Sequence, residues 1–152
     1  MNWSRILTFP AAFLLIAVTV FAHREGDVLD GTGLDLRGPD GTLLNLRIVD
    51  QQFRLYAMDE TREVIALPPM FHRVILATEE IPRSSRTMRI LLLPSGEGDF
   101  ATSPRRIPVP FNYWVTLFVG EPNEDGERDL IPRTRFSQPI ADEGGDDEDG
   151  EG

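Results

Sequence analysis

The chain contains no cysteine and no lysine, and it has only two histidines among its 152 residues. The absence of cysteine excludes disulfide bonds, a thiol nucleophile and a lipid-modified N-terminal cysteine. Without lysine, the basic charge is carried by 15 arginines, whose long stems also cover apolar surface at exposed strand positions. No segment shows the 3.6-residue apolar period of a useful amphipathic helix. A domain of this composition depends on its apolar core alone.

The first 22 residues have the pattern of a cleaved signal peptide. Arg5 precedes an apolar run over residues 6–21, and the stretch Val20-Phe21-Ala22 puts small or β-branched side chains where a signal peptidase reads them. The run is short for a membrane span, so we expect cleavage after Ala22 and no stable span afterwards, with an uncleaved anchor as the alternative. A protein exported without disulfides is predicted to be periplasmic or secreted, and a bacterial periplasm suits it best.

The acidic charge is concentrated at the other end. Residues 142–152 read DEGGDDEDGEG, with seven acidic and no basic residues. Such a composition cannot bury enough apolar surface to fold, so residues 140–152 are predicted to form a disordered acidic tail. Residues 23–141 carry a net charge of only about −4, which speaks against nucleic acid as a partner.

Short strand patterns separated by turn residues occupy the middle of the chain. The predicted strands cover residues 43–49, 53–58, 64–67, 71–78, 88–93, 111–119 and 133–137. Residues 23–33 lack periodicity and are predicted to be a flexible leader, and residues 94–110, with four prolines, a long loop. We therefore predict an all-β domain over residues 34–139. It is a small antiparallel two-layer β-sandwich of immunoglobulin-like type, or alternatively an open or partly closed barrel.

A copper site is one hypothesis for the two histidines. After cleavage at Ala22, His23 would offer its α-amine and imidazole to one ion, and planar nitrogen ligands favour Cu(II). His72 is the second imidazole. It lies on a predicted strand, two residues from Met70, so the two side chains share a face if the strand is regular there, and the thioether favours Cu(I). The alternative is that His23 is a polar residue at the cleavage junction and His72 a histidine at the edge of the core.

The arrangement of His23 and His72 on a β-sandwich is similar to the histidine brace of periplasmic copper carriers and copper-dependent polysaccharide oxygenases. The resemblance implies copper bound between the N-terminal residue and the fold. It covers only the two histidines and the general architecture, because the short motifs expected around the first histidine of the carriers are absent. Apart from this possible copper site, the sequence predicts no cofactor.

Arginines recur in clusters that suit anion or partner binding. The clusters are Arg83, Arg86 and Arg89; Arg105 and Arg106; and Arg133 and Arg135. Guanidinium groups gathered on one face bind carboxylates, phosphates or anionic polymers. Alternatively they line solvent-facing strand positions, or they attract the acidic tail in a salt-dependent way.

The segment FNYWVTLFV, residues 111–119, is predicted to be a central strand buried on both faces. If one face were exposed, Trp114 would anchor a partner or a sugar ring. Hydrolytic catalysis finds no support, since there is no cysteine and no Gly-x-Ser-x-Gly elbow.

Three functional hypotheses follow. The first is an exported, non-catalytic binding or accessory protein of the bacterial cell envelope with a protein or envelope partner. The second is a periplasmic copper carrier that uses His23, and the third is a carbohydrate-binding module. The first hypothesis predicts a contiguous exposed apolar or arginine-lined patch. The third predicts that Trp114 or Tyr56 lies flat on an exposed sheet face.

Overall fold

The structure is a computed structural model that describes residues 24–81 and 87–139. These residues form nine strands and one short 3-10 turn, Pro69–Phe71. The strands are β1 (Leu34–Arg37), β2 (Leu43–Val49), β3 (Gln52–Met58), β4 (Val64–Ile65), β5 (Val74–Glu80), β6 (Thr87–Pro94), β7 (Phe100–Thr102), β8 (Phe111–Val119) and β9 (Asp129–Gln138). The prediction of an all-β fold is confirmed. The predicted signal peptide and acidic tail lie outside the described residues, within which no helix is long and apolar enough to cross a membrane.

The strands belong to one antiparallel sheet that is nearly closed into a barrel. Their order is β1-β2-β3-β7-β6-β5-β8-β9, with β4 beside the end of β3, and β1 lies against β9. This sheet corresponds to the partly closed barrel given above as the alternative, and the immunoglobulin-like sandwich is not confirmed. The connection depends on β7, which pairs with β3 on one side and β6 on the other. Three residues are too few to show a strand pattern, and β7 lies within the predicted loop of residues 94–110.

The interior of the sheet is filled by alternate residues of the long strands. Phe53 on β3 meets Phe136 edge-on at 5.5 Å between ring centroids and Tyr113 at 6.1 Å. In β8 the residues that alternate from Phe111 to Val119 are buried, whereas those between them are half-exposed. The prediction that this strand is buried on both faces is therefore wrong, because its outer face is only partly covered.

A side chain closes the barrel where backbone pairing ends. β1 covers β2 only from Leu43 to Leu46, so Ile48 has no strand of the described residues beside it on that edge. The Gln138 amide fills the gap: Ile48 N–H donates to Oε1 at 2.8 Å, and Nε2 donates to the Ile48 carbonyl oxygen at 2.6 Å. One glutamine thus satisfies both backbone groups as a neighbouring strand would.

Residues 24–33, called here the N-terminal strap, lie across the outer face of β2 and β3. The strap pairs with the start of β4 and the residue before it: Val28 forms a bridge with Glu63, and Val64 N–H donates to the Asp27 carbonyl oxygen at 2.8 Å. Leu29 of the strap is buried, at 1% exposure. Leu29 packs with Tyr56, Met58 and Val64 in a second apolar cluster. These contacts were not anticipated for a segment predicted as a flexible leader. The Gly and Asp content of the strap serves its turns.

Three turns repeat one Asp-x-Thr arrangement. In each, the aspartate accepts hydrogen bonds from the backbone N–H and the hydroxyl of the threonine two residues later. The pairs are Asp30 with Thr32, Asp40 with Thr42, and Asp59 with Thr61. The threonine hydroxyl is the first cause that holds the pKa of each carboxyl below its ordinary value.

Candidate partner-binding surface

The two candidate metal ligands in the described chain do not share a strand face. β5 begins at Val74, and Met70 lies in the 3-10 turn that Pro68 and Pro69 start. His72 caps this turn, is exposed, and places Nε2 2.8 Å from the Leu67 carbonyl oxygen. Since a carbonyl only accepts, Nε2 carries the proton and Nδ1 is the nitrogen left for other partners. The predicted common face of Met70 and His72 is therefore wrong.

The copper hypothesis itself stays a prediction, because His23 lies outside the described residues. Residues 24–81 and 87–139 contain no group of three or more histidine, aspartate or glutamate side chains placed to hold a metal ion. Met70 packs against the apolar core as a partly buried side chain.

The arginine candidates are distributed over separate parts of the fold. Arg83 and Arg86 lie outside the described residues. Arg89 is exposed on β6, and Arg105 and Arg106 are exposed between β7 and β8. The structure gives the side chains of these three no hydrogen bond or ion pair to any described residue, so their guanidinium groups remain available to an anion.

Arg133 has partners within the fold. Its guanidinium lies over the Trp114 ring at 4.3 Å from the centroid, and Nη2 is 3.0 Å from Oε2 of Glu79. Trp114 is half-buried beneath it, and Tyr56 is completely buried. Neither aromatic residue therefore presents the open, flat ring that a sugar-binding site requires.

The outer face of β6, β5, β8 and β9 carries a continuous apolar row. Strand register places Leu91 beside Ile75, Ile75 beside Phe118, and Phe118 beside Leu130. Directly opposed residues of neighbouring strands have Cβ atoms about 5 Å apart, so the four side chains form one row across four strands. Leu130 is 52% exposed and Leu91 36%. We call these four residues the outer row.

A groove of about 450 Å³ lies along the outer row. Ile75, Phe118 and Leu130 give it an apolar lining, and Arg89, Arg128 and Glu127 add charge. Arg128 is fixed by donating Nη1–H to the Gly120 carbonyl oxygen, whereas Arg89 has no described partner. The groove therefore combines apolar surface with two guanidinium groups, and that of Arg89 has no partner within residues 24–81 and 87–139.

Of the residues that form this surface, Arg89 is the one predicted from the sequence as a candidate site residue. Phe118 was expected to be buried, because residues 111–119 are apolar on both faces, and Ile75 was not singled out within the predicted strand 71–78. Leu130 and Arg128 fall in a segment predicted as a loop, ahead of the strand expected at residues 133–137. The useful signal was the pairing register, which depends on the folded sheet.

The comparisons with known proteins identify no relative. No protein-family description matches the chain, and no curated protein or solved structure shows significant similarity to it.

Proposed function

We propose that this protein is an exported, non-catalytic binding or accessory protein of the bacterial cell envelope, and that it docks a protein partner on the outer row. The observation that carries the proposal is the row itself, which joins Leu91, Ile75, Phe118 and Leu130 on an exposed sheet face. Contiguous exposed apolar surface mostly marks an interaction site in a soluble domain. The signal-peptide pattern of residues 1–22 supports export.

The chemistry of the groove defines what the partner has to present. An apolar side chain from the partner would fill the space above Ile75 and Phe118, and a carboxylate beside it would pair with Arg89. Interfaces of this type concentrate their binding energy in a buried apolar or arginine anchor surrounded by a polar rim. The proposed partner is therefore a protein segment that combines apolar and acidic residues.

Two exposed apolar residues allow a matched test. Leu130 lies in the outer row at 52% exposure, and Val28 lies in the N-terminal strap at 64% exposure. A photoreactive amino acid is placed at position 130 of the exported full chain and, in a separate variant, at position 28, and the protein cross-linked from position 130 is identified. The dissociation constant of that purified protein is then measured for wild type, Leu130→Asp and Val28→Asp.

We expect Leu130→Asp to weaken binding by about tenfold or more, since it removes an anchor of about 1.4 kcal/mol. Val28→Asp should bind as wild type does. Equal affinities for all three proteins, or cross-links from position 28 and none from position 130, would contradict the proposal. Arg89→Glu should slow association and reduce its dependence on salt.

A further inference from the structure

Strand β6 has a long edge with no strand beside it among the described residues. β5 pairs with β6 from Thr87 to Leu92. On the other side, β7 reaches β6 only at Leu93 and Pro94. The residues from Thr87 to Leu91 therefore face no described strand on that side. The nearly closed barrel therefore has an open edge here. It is separate from the place where the Gln138 amide pairs with the Ile48 backbone, which we call the seam.

The hydrogen-bonding groups on that edge follow from the register. Ser95 N–H donates to the Phe100 carbonyl oxygen at 2.8 Å, which sets the β7-facing parity of the strand. In antiparallel pairing, alternate residues direct both backbone groups to the same side. Leu93, Leu91, Arg89 and Thr87 therefore point to the β7 side. Beyond Leu93, the backbone groups of Leu91, Arg89 and Thr87 have no described strand partner.

A second observation agrees with this parity. The Thr78 hydroxyl on β5 lies 3.5 Å from the Met88 carbonyl oxygen, so Met88 faces β5. Pro94 has no N–H to donate, but it shares the parity of Met88 and faces β5. The β7-facing edge therefore loses no donor to this proline.

The side chains leave the edge accessible. Thr87, Met88, Arg89, Leu91 and Leu93 are all exposed. Leu91 is also the first member of the outer row, so a strand laid beside β6 would extend the same apolar face by one strand. An accessible edge of this kind is a template for pairing with another extended chain.

Charge decides which chain suits the edge. Residues 82–95 contain Arg83, Arg86 and Arg89 and no acidic residue. A second copy paired through the same strand would bring two such segments together, and their like charges would oppose it. Residues 142–152 of the chain itself consist only of acidic residues and glycine, so they offer no apolar side chain to Leu91 or Leu93. An extended segment with alternating apolar and acidic residues satisfies the backbone, the leucines and the arginine together.

We propose that β6 binds such a segment of the partner by strand addition, with the segment's backbone bonded to Thr87, Arg89 and Leu91. This inference rests on the proposed function and specifies how the partner is recognised. The outer row then provides anchoring for side chains, and the β6 edge provides the main-chain hydrogen bonds that fix the register.

The test is amide hydrogen exchange of the full chain by NMR, with a defined probe peptide. The probe has eight residues, the length of β6, and alternates valine with aspartate. One control peptide carries lysine in place of aspartate. The second control is a pair of N-methylated peptides, one for each possible register. In each of them, the alternate amides that would face β6 in that register are methylated.

In the free protein we expect the amides of Arg89 and Leu91 to exchange at least about tenfold faster than those of Met88 and Ile90, which face β5. The valine–aspartate peptide should slow exchange at Arg89 and Leu91. The lysine peptide should bind at least about tenfold more weakly than the valine–aspartate peptide. The N-methylated peptide should give no protection of these amides.

Three results would overturn strand addition. Protection of Arg89 and Leu91 in the free chain would mean that the edge is already filled. It would be filled by a second copy if the protection rises with protein concentration, and by the chain itself if it does not. Failure of the valine–aspartate peptide to protect these amides would exclude the edge as a receptor. Equal binding of the N-methylated peptide would show docking by side chains alone, and the proposed function would then still stand on its own test with Leu130→Asp.

Discussion

Arg47 on β2 and Arg54 on β3 lie directly opposite each other, and both are buried, at 4% and 6% exposure. Their environments differ. The Arg47 guanidinium donates to Oδ1 of Asn45 at 2.7 Å, to Oδ1 of Asp30 at 3.0 Å and to the Thr32 carbonyl oxygen at 3.1 Å. Arg54 bonds only Oδ2 of Asp50 at 3.2 Å, and its Nε and Nη1 have no hydrogen-bond partner in the described chain. The Phe100 ring, 4.9 Å from the guanidinium carbon, covers it.

This asymmetry predicts opposite effects of the same substitution. Arg47→Met should lower the free energy of unfolding by about 2 kcal/mol or more, because it leaves buried Oδ1 of Asn45 without a described donor and removes the ion pair with Asp30. Arg54→Met should leave the free energy of unfolding unchanged or raise it, since it removes unpaired buried donors and a like charge beside Arg47. Urea unfolding of both variants decides the matter. A loss in Arg54→Met as large as that in Arg47→Met would show that Arg54 contributes more than its described contacts.

The barrel seam gives a second prediction. Gln138→Ala should lower the free energy of unfolding by about 1–3 kcal/mol, since buried Ile48 loses partners for both its N–H and its carbonyl oxygen. The neighbouring exposed Ser137→Ala is the control and should stay within about 0.5 kcal/mol of wild type. Gln138→Glu keeps only acceptor atoms at neutral pH, whereas its protonated carboxyl in acid can also donate. The variant should therefore lose more stability relative to wild type at pH 7 than in acid. Equal unfolding curves for Gln138→Ala and Ser137→Ala would exclude a structural role for the seam.

The N-terminal strap is tested by adjacent residues. Leu29→Ala should lower the free energy of unfolding by about 2–4 kcal/mol, because Leu29 is buried in the second apolar cluster. Val28→Ala changes an exposed side chain of the same strap and should have an effect within about 0.5 kcal/mol. Guanidinium unfolding monitored by tryptophan fluorescence compares the two. If the strap were a flexible leader, the variants would be indistinguishable.

Two glycines with positive φ separate backbone strain from steric clash. Gly33 has φ +82°, and a Cβ there would lie 2.8 Å from the Leu46 carbonyl oxygen and 2.9 Å from Oδ1 of Asn45. Gly41 has φ +88° and nothing within 4 Å of the corresponding position. Gly41→Ala should therefore cost about 1 kcal/mol for the left-handed backbone alone. Gly33→Ala should cost at least about 1 kcal/mol more, because the β2 backbone has to move. Thermal unfolding that ranks Gly41→Ala as the worse variant would contradict this account.

The ion pair of Asp35 and Arg62 predicts a loss of stability in acid. Oδ2 of Asp35 accepts from Nη1 of Arg62 at 2.5 Å, and this bond is the first cause that lowers the pKa of Asp35 in the folded protein. A lowered folded pKa adds stability above the unfolded value of about 3.9, and that stability is lost as pH falls through the folded pKa. Asp35 is half-exposed, so its share is about 0.5 kcal/mol.

Asp35→Asn should therefore flatten the decline of unfolding free energy between pH 5 and pH 2 without changing its direction, because Asp30 and Asp40 also have lowered pKa values. Arg62→Gln should flatten it similarly, and the double variant should add little to either. Urea unfolding at a series of pH values measures the slopes. Additive effects of the two substitutions would show that they do not act through one bond.

The sequence predicted those parts of the fold that local alternation specifies. Residues 43–49 and 111–119 are rich in strand-forming residues, and both segments form strands with the predicted bounds. Leu44, Leu46 and Ile48 alternate in the first segment and are buried there. β7 could not be predicted, because its three residues are a strand only through pairing with β3 and β6. Leu29 was missed for a similar reason: its burial depends on Tyr56 and Val64, which are distant in the chain.

The candidate site was harder to predict than the strands. Arg89 was predicted from the sequence as a member of an anion-binding arginine cluster, but the outer row exists only through the register of four strands. Pro68 and Pro69 begin a 3-10 turn, and β5 therefore starts only at Val74. His72 and Met70 precede the strand and do not share the strand face that the copper hypothesis assumed.

The seam at Gln138 also constrains how the chain is made. Ile48 precedes Gln138 by 90 residues, which at about 5–20 residues per second is a delay of roughly 5–20 s during synthesis. Throughout that interval the nascent segment LLNLRIV, residues 43–49, exposes the backbone of Ile48 within an apolar, strand-forming run. Premature termination anywhere in β9 would leave that edge permanently uncovered. Such truncated products should therefore self-associate, whereas a chain completed through Gln138 should stay dispersed.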